Sequence, residues 1–215
     1  GWPVAASPGH VAIGGPVANE AASVGGVTAL PIAPASPIAA LLVKGDLNIA
    51  AIGTVTYVDE RQVLAFGHPF VGFGQVAFPM ATAGILNTLA SEAGSYKQGM
   101  AAREVGVVSD DRLTAIAGEL GSAAETVPFV MRFTDPAGVT ETTEVEIVAD
   151  PFGLPIMLES VVSSAIEGRL DVELGGTVQA EIRIRLDDRA LELDQTYSAP
   201  PPARITSIVG LDLGN

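Results

Sequence analysis

The chain has 215 residues, 11 basic and 25 acidic side chains, a formal net charge of -14 and no cysteine. Disulfides, thiolate metal sites and cysteine catalysis are therefore excluded, and the absence of cysteine fits an extracytoplasmic protein, secreted or periplasmic. So few cations argue against a nucleic-acid partner, because phosphate binding relies on clustered Lys and Arg.

Residues 1–37 are rich in Gly, Ala, Pro and Ser. Pro3, Pro8, Pro16, Pro31, Pro34 and Pro37 exclude a long helix, so an extended segment lying on the main body is expected. Val11, Ile13, Val17, Val27, Leu30 and Ile32 give it apolar surface to bury. The longest apolar run, 29–43, is too short and too proline-rich to span a membrane. No basic stretch precedes an apolar run at the start, so no signal peptide is expected. The opening Gly1–Trp2–Pro3 reads as the start of a processed or excised chain.

Residues 38–43 predict a strand that turns at Lys44–Gly45–Asp46. Residues 48–58 and 62–66 predict a hairpin, in which Thr54, Thr56 and Tyr57 favour the extended state. Gly72 and Gly74 flank Phe73 in a turn, followed by a short strand over 75–79. Ile85, Leu86 and Leu89 recur at helical spacing and predict a helix over 80–92. Residues 104–108 and 112–117 read as strands around Asp110–Asp111, and 126–133 and 139–148 as a second hairpin turning at Asp135–Pro136–Ala137–Gly138. Pro155 suits the first turn and Gly168 the end of a second helix over 155–167. Residues 177–186 alternate as a half-buried antiparallel strand does. Asp187–Asp188–Arg189 is a charged turn, 198–202 a stiff linker and 205–213 a final strand.

These elements make a mainly β protein with two helices, of barrel or sandwich type. Four segments follow: the extended 1–37, a β core over 38–150, a helix plus strand over 151–197 that completes the domain, and a Pro-rich linker with a final strand over 198–215. Six charged side chains lie before residue 90 and thirty after it, so the first part must be buried, covered by a partner or rich in loops of small residues.

The chemistry centres on His68, in Ala65–Phe66–Gly67–His68–Pro69–Phe70, just past the first hairpin. Imidazole titrates nearest neutrality and is the natural general base. The plainer alternative is a turn histidine that only hydrogen-bonds the backbone. The other histidine, His10, sits in a Pro-Gly loop. Two histidines so far apart, without ligand spacing, make no metal site, and no cofactor motif is present. Ser95 and Lys97 offer a Ser-Lys dyad with Ser95 as nucleophile, or a structural pair in which Lys97 meets a carboxylate. Asp110, Asp111 and Arg112 form either an ion-pair turn or a support for His68. Adjacent strand residues face opposite ways, and Asp111 is the better inward candidate. No serine sits in a Gly-x-Ser-x-Gly frame.

The order Gly45–Asp46, Gly53–Thr54–Val55–Thr56–Tyr57 and Ala65–Phe66–Gly67–His68–Pro69–Phe70 resembles the SpoIVB-type serine peptidases, a family named after a sporulation protein. The resemblance continues through Pro79–Met80–Ala81–Thr82, Ser95–Tyr96–Lys97–Gln98–Gly99, Val105–Gly106 and Asp111–Arg112 to Ala115–Ile116–Ala117–Gly118–Glu119–Leu120–Gly121. It implies a hydrolase in which His68 is the base acting on a protein or peptide substrate, and it places the Ser95–Lys97 segment as structural. The family's nucleophile lies in a Gly-Met-Ser-Gly-Ser-Pro motif that this chain lacks, and its acidic helper precedes that motif. In larger relatives the serine motif stands upstream of the Gly-His-Pro-Phe block, before a Gly-Trp-Pro-like sequence. On that pattern the serine comes from a segment upstream of residue 1 or from a partner chain, in a peptidase that processes itself. The competing expectations are a non-catalytic β-domain that binds or assembles with other proteins, and an esterase with another nucleophile.

Overall fold

The computed structural model describes residues 11–14, 30–90, 96–135, 137–151, 153–167, 176–186 and 189–199. The protein is mainly β, with eleven strands and one helix among the described residues. The strands are β1 (Val11–Gly14), β2 (Pro37–Gly45), β3 (Asn48–Asp59), β4 (Gln62–Ala65), β5 (Gly74–Leu89), β6 (Tyr96–Arg112), β7 (Ala115–Leu120), β8 (Thr126–Thr134), β9 (Thr140–Val148), β10 (Gly176–Leu186) and β11 (Arg189–Ala199). Helix α1 spans Gly153–Glu167. The chain divides into two compact units. The first is Gly1–Val130 with Thr142–Gly153, and the second is Met131–Glu141 with Leu154–Asn215.

In the first unit β3, β4, β7, β6, β5 and β2 are hydrogen-bonded in that order, and β2 pairs back onto β3. Every pairing is antiparallel. Six strands thus close into a ring, which leaves no edge along the cycle. β1 adds to β3 outside the ring, and β9 then β8 continue from β2.

Inward positions explain several glycines. Met80 is opposite Gly106, and Val63 is opposite Gly118. A Cβ on Gly106 would stand 2.8 Å from Met80 Cε, and one on Gly118 3.1 Å from Met80 Sδ. The thioether fills the space that those missing side chains leave. Val55, Val63, Ala65, Phe78, Val108 and Ile116 complete this buried interior. Ala39, Leu41, Ala50, Ala81, Ala83 and Ala101, with Ile52 against them, form a cluster on the opposite face. Residues 38–43 are at most 5% exposed on either face. A strand buried on both sides has no place for charge, which accounts for the absence of charged side chains over 38–43.

Residues 80–89 are strand, not helix. They continue β5, paired with β6 from Gly74↔Asp111 to Leu89↔Tyr96. Burial on both faces over 78–84 removes the alternation that marks a strand, Leu86 is exposed despite its apolar side chain, and register shifts between Met80 and Asn87 break the strand's parity. The β6–β7 turn also differs from expectation. Asp110 and Asp111 lie within β6, and the chain reverses at Leu113–Thr114, with Arg112 opposite Ala115.

The first hairpin forms as expected, with Asp59 opposite Gln62. The second turns through hydrogen bonds between Asp135, Gly138 and Val139. At the β2–β3 turn Gly45 has φ +127°, and a Cβ there would lie 2.5 Å from Glu144 O. Asp46 Oδ2 accepts from Glu144 N at 2.9 Å, which fastens the turn to β9.

In the second unit β10 and β11 form a two-stranded sheet. The alternation over 177–186 is strand as expected; its partner β11 begins at Arg189, which is therefore strand rather than part of the expected turn. Helix α1 forms where proline and glycine predict it, and Asp150 Oδ1 accepts from Gly153 N at 2.7 Å as its cap. The strand expected over 205–213 and the turn residues Asp187 and Asp188 lie outside the described residues, as do 200–202 of the linker.

Candidate functional site

His68 stands three residues past β4, on a loop of two successive left-handed residues. Phe66 has φ +72° and Gly67 φ +74°. A phenylalanine holds that conformation only when its surroundings fix it. Its N–H donates to Thr54 O at 2.9 Å. Its ring lies over Gly53, where a Cβ would stand 2.5 Å from Cε1 and closer still to Cδ1. Gly53 is thus a seat for Phe66.

From this seat a row of rings links the surface to the core. The His68 and Phe66 centroids are 5.7 Å apart, Phe66 and Phe70 6.2 Å, and Phe70 and Phe78 6.1 Å, the last two in edge-on arrangement. Phe78 is fully buried and His68 exposed.

Asp111 holds the far side of the loop. It is 1% exposed. Its Oδ1 accepts from Phe70 N, and its Oδ2 accepts from Val71 N and Gly72 N, each at 2.7 Å. Three consecutive amides converge on one carboxylate, and such charge-assisted bonds are short and about twice as strong as neutral ones. Glycine at 72 (φ +80°) and 74 (φ +82°) permits the chain to wrap around the carboxylate and enter β5. Asp111 does face inward, and it acts on the backbone of residues 70–72. Next door, Asp110 Oδ1 pairs with Arg112 at 2.7 Å on the surface.

His68 Nδ1 lies 2.7 Å from Pro69 O. A carbonyl only accepts, so Nδ1 carries the hydrogen in this contact. In the neutral ring Nε2 then bears the lone pair. This contact is to backbone, as the plainer reading of His68 has it, and it leaves Nε2 available for a proton.

The other candidates lie elsewhere. Lys97 Nζ donates to Thr54 Oγ1 at 2.9 Å; the partner in place is a hydroxyl rather than the expected carboxylate. Ser95 and His10 lie outside the described residues. No group of three or more His, Cys, Asp or Glu that could hold a metal ion occurs among the described residues. A shallow depression of about 400 Å³ adjoins the latch, lined by Gly72, Gly74, Asp111, Arg112, Leu113 and Thr114. The exposed apolar side chains of Val71, Phe73 and Leu113, the last 84% exposed, belong to the same loops. Sequence reasoning did not find the role of Phe66, Gly53 or Phe70. The only local signal was the Phe-Gly pair entering the histidine motif.

No protein-family model, no curated protein and no solved structure matches this chain.

Proposed function

We propose that this protein is the base-bearing part of a serine peptidase of the SpoIVB type, in which His68 Nε2 takes the proton of a serine supplied by another segment or a partner chain. The observation that carries the reading is the pairing of Nδ1 with Pro69 O on a loop latched by Asp111. A base must present one nitrogen with its lone pair free and its ring held, and a carbonyl at Nδ1 does for orientation what the third member of a triad does elsewhere. The exposed position lets an incoming hydroxyl reach the ring. The substrate on this reading is a protein or peptide chain, and the site lies outside the cytoplasm.

The test is labelling of the natural gene product, in extracts of its own host, with a serine-directed phosphonate. Labelling of the wild type that His68→Ala abolishes supports the proposal. A product that never labels, or that labels equally in His68→Ala, overturns it.

A second reading, a non-catalytic β-domain that binds protein, is favoured by the apolar side chains of Val71, Phe73 and Leu113 around the loop. On that reading the latch serves to hold a contact surface.

A further inference from the structure

Two strands share one edge of β3, end to end. Val55 N donates to Ser36 O, and Val55 O accepts from Ala35 N, on the edge that β2 occupies. Thr54 O accepts from Phe66 N on the other edge, beside β4. Strand residues alternate their hydrogen-bonding direction, so the backbone groups of Asn48, Ala50 and Ile52 face that second edge with those of Thr54. β2 already covers the first edge from Ile49 to Thr54. β1, paired over Asn48–Ala51, therefore lies on the second, in line with β4.

Both strands run the same way along that edge. Asp59 to Val55 are met by Gln62 to Ala65, and Ala51 to Asn48 by Val11 to Gly14. The end of β4 therefore points at the start of β1, with Ile52, Gly53 and Thr54 between the two pairings. Thr54 O is taken by Phe66 N, and the chain leaves the edge there through the left-handed Phe66–Gly67 into His68. The Phe66 ring lies over Gly53, and the His68 ring is 5.7 Å from it. At about 3.3 Å per residue, the first β1 pairing is on the order of 10 Å from Thr54. β1 has only 4 residues, and β3 is its one hydrogen-bonded neighbour among the described residues. So short an edge strand opens locally and can be exchanged for another extended chain. Its sequence, Val-Ala-Ile-Gly, carries no charge, and its β3 partners Ile49, Ala50 and Ala51 are buried.

We infer that the β3 edge over 48–53 is a docking site for an extended peptide of uncharged, small or branched residues, and that β1 is its built-in occupant. The peptide adds as a strand antiparallel to β3. Its N-terminal end then meets the His68 loop, and its C-terminal end meets the β2–β3 turn. On the reading of His68 as a base, on which this consequence rests, the docked strand is the part of the substrate that follows the attacked bond. The serine Oγ bonds to the carbonyl carbon, its proton passes to His68 Nε2 and on to the departing amine, and water later releases the acyl group from the serine. The amine so freed is the N-terminus of the docked strand. β1 is tethered to the same edge, so an incoming peptide competes with it at high effective concentration.

The test uses the whole chain and a capped peptide, Thr-Thr-Val-Ala-Ile-Gly-Thr-Thr. Ala12→Pro removes an N–H that β1 gives to β3, because Ala12 is opposite Ala50. Gly14→Pro, opposite Asn48, does the same one pair further along. In either variant the Ala50 and Ile52 amide shifts are expected to saturate at a peptide concentration lower than in the wild type by roughly tenfold or more. A nitroxide at the peptide's N-terminus should broaden the Gly67 and His68 amides, and one at its C-terminus those of Asp46 and Leu47. This polarity is also read in the wild type at high peptide concentration, so it does not depend on either variant folding. Folded variants that bind no tighter than the wild type, or the reverse pattern of broadening, overturn the inference. Binding can fail while phosphonate labelling still depends on His68, and it can succeed where nothing labels.

Discussion

Two carboxylates fasten the first unit by different physics, Asp111 a loop and Glu146 its neighbouring strands. Asp111 is buried and accepts three backbone amides, with no cation among the contacts that hold it. Glu146 is half exposed and works within a charged network: Lys44 Nζ sits 2.8 Å from Glu104 Oε1 and 3.1 Å from Glu146 Oε2, and Glu146 also accepts from Thr126 at 2.6 Å. Backbone amides neither titrate nor rearrange, so the Asp111 clamp fixes a loop shape. Ion pairs between flexible side chains mainly hold strands together and yield to pH and salt. The histidine stands on the loop held by the rigid kind.

The largest effect separating the two clamps is expected from Asp111→Asn. One acceptor oxygen becomes an amide donor facing N–H groups, and the loss is about 2–4 kcal/mol of stability by denaturant titration. Lys44→Met should leave the histidine loop unchanged in NMR and cost less, about 1 kcal/mol. An Asp111→Asn protein as stable as the wild type, with the 70–72 amides still protected from exchange, would break the comparison.

Gly53→Ala comes next. Its Cβ would drive into the Phe66 ring, so either β3 or the left-handed turn must shift, at about 1–3 kcal/mol. The imidazole signals of His68 should move with it, whereas Gly138→Ala, where a Cβ has open space, should leave them in place.

A pH series sharpens the contrast further. Hydrogen bonds from Thr126 and Lys44, with the Lys44 charge, outweigh burial and hold Glu146 below its ordinary value of 4.5. Its contribution is therefore present above that value and fades as pH falls through the lowered one. Burial pulls Lys44 downward, but hydrogen bonds and charge from Glu104 and Glu146 prevail and hold it above 10.5. Its share is present below 10.5 and fades as pH rises through the raised value. In Lys44→Met both dependences should shrink in thermal melts between the acid and alkaline ends. The smallest change is expected from Lys97→Met, which removes one exposed hydrogen bond to Thr54 and should shift stability by no more than about 0.5 kcal/mol.

The sequence made the hairpins, α1 and the mainly β class legible because turn chemistry and alternation are local. It misplaced 80–89, because β5 is buried on both faces over 78–84 and bulged, and the pattern left over matched a helix. It singled out His68 as a candidate, since the residue type and its glycine mark it. It could not find the Asp111 latch, because the carboxylate and its amides are about forty residues apart in sequence and meet only when β6 closes against β5. It could not find the Phe66 seat for a different reason. Gly53 and Phe66 are joined by the turn of one hairpin, but the left-handed backbone that brings the ring over the glycine has no sequence signature beyond Phe-Gly.

The most direct measurement is a long-range proton–nitrogen correlation of the His68 imidazole, assigned with His10→Ala, at a pH where the ring is neutral. The Pro69 carbonyl should hold the ring in the Nδ1-protonated form, with Nε2 bare, in the wild type, and that preference should weaken in Asp111→Asn. A wild-type ring protonated at Nε2, or one whose tautomer does not respond to loss of the latch, would contradict a histidine positioned as a base.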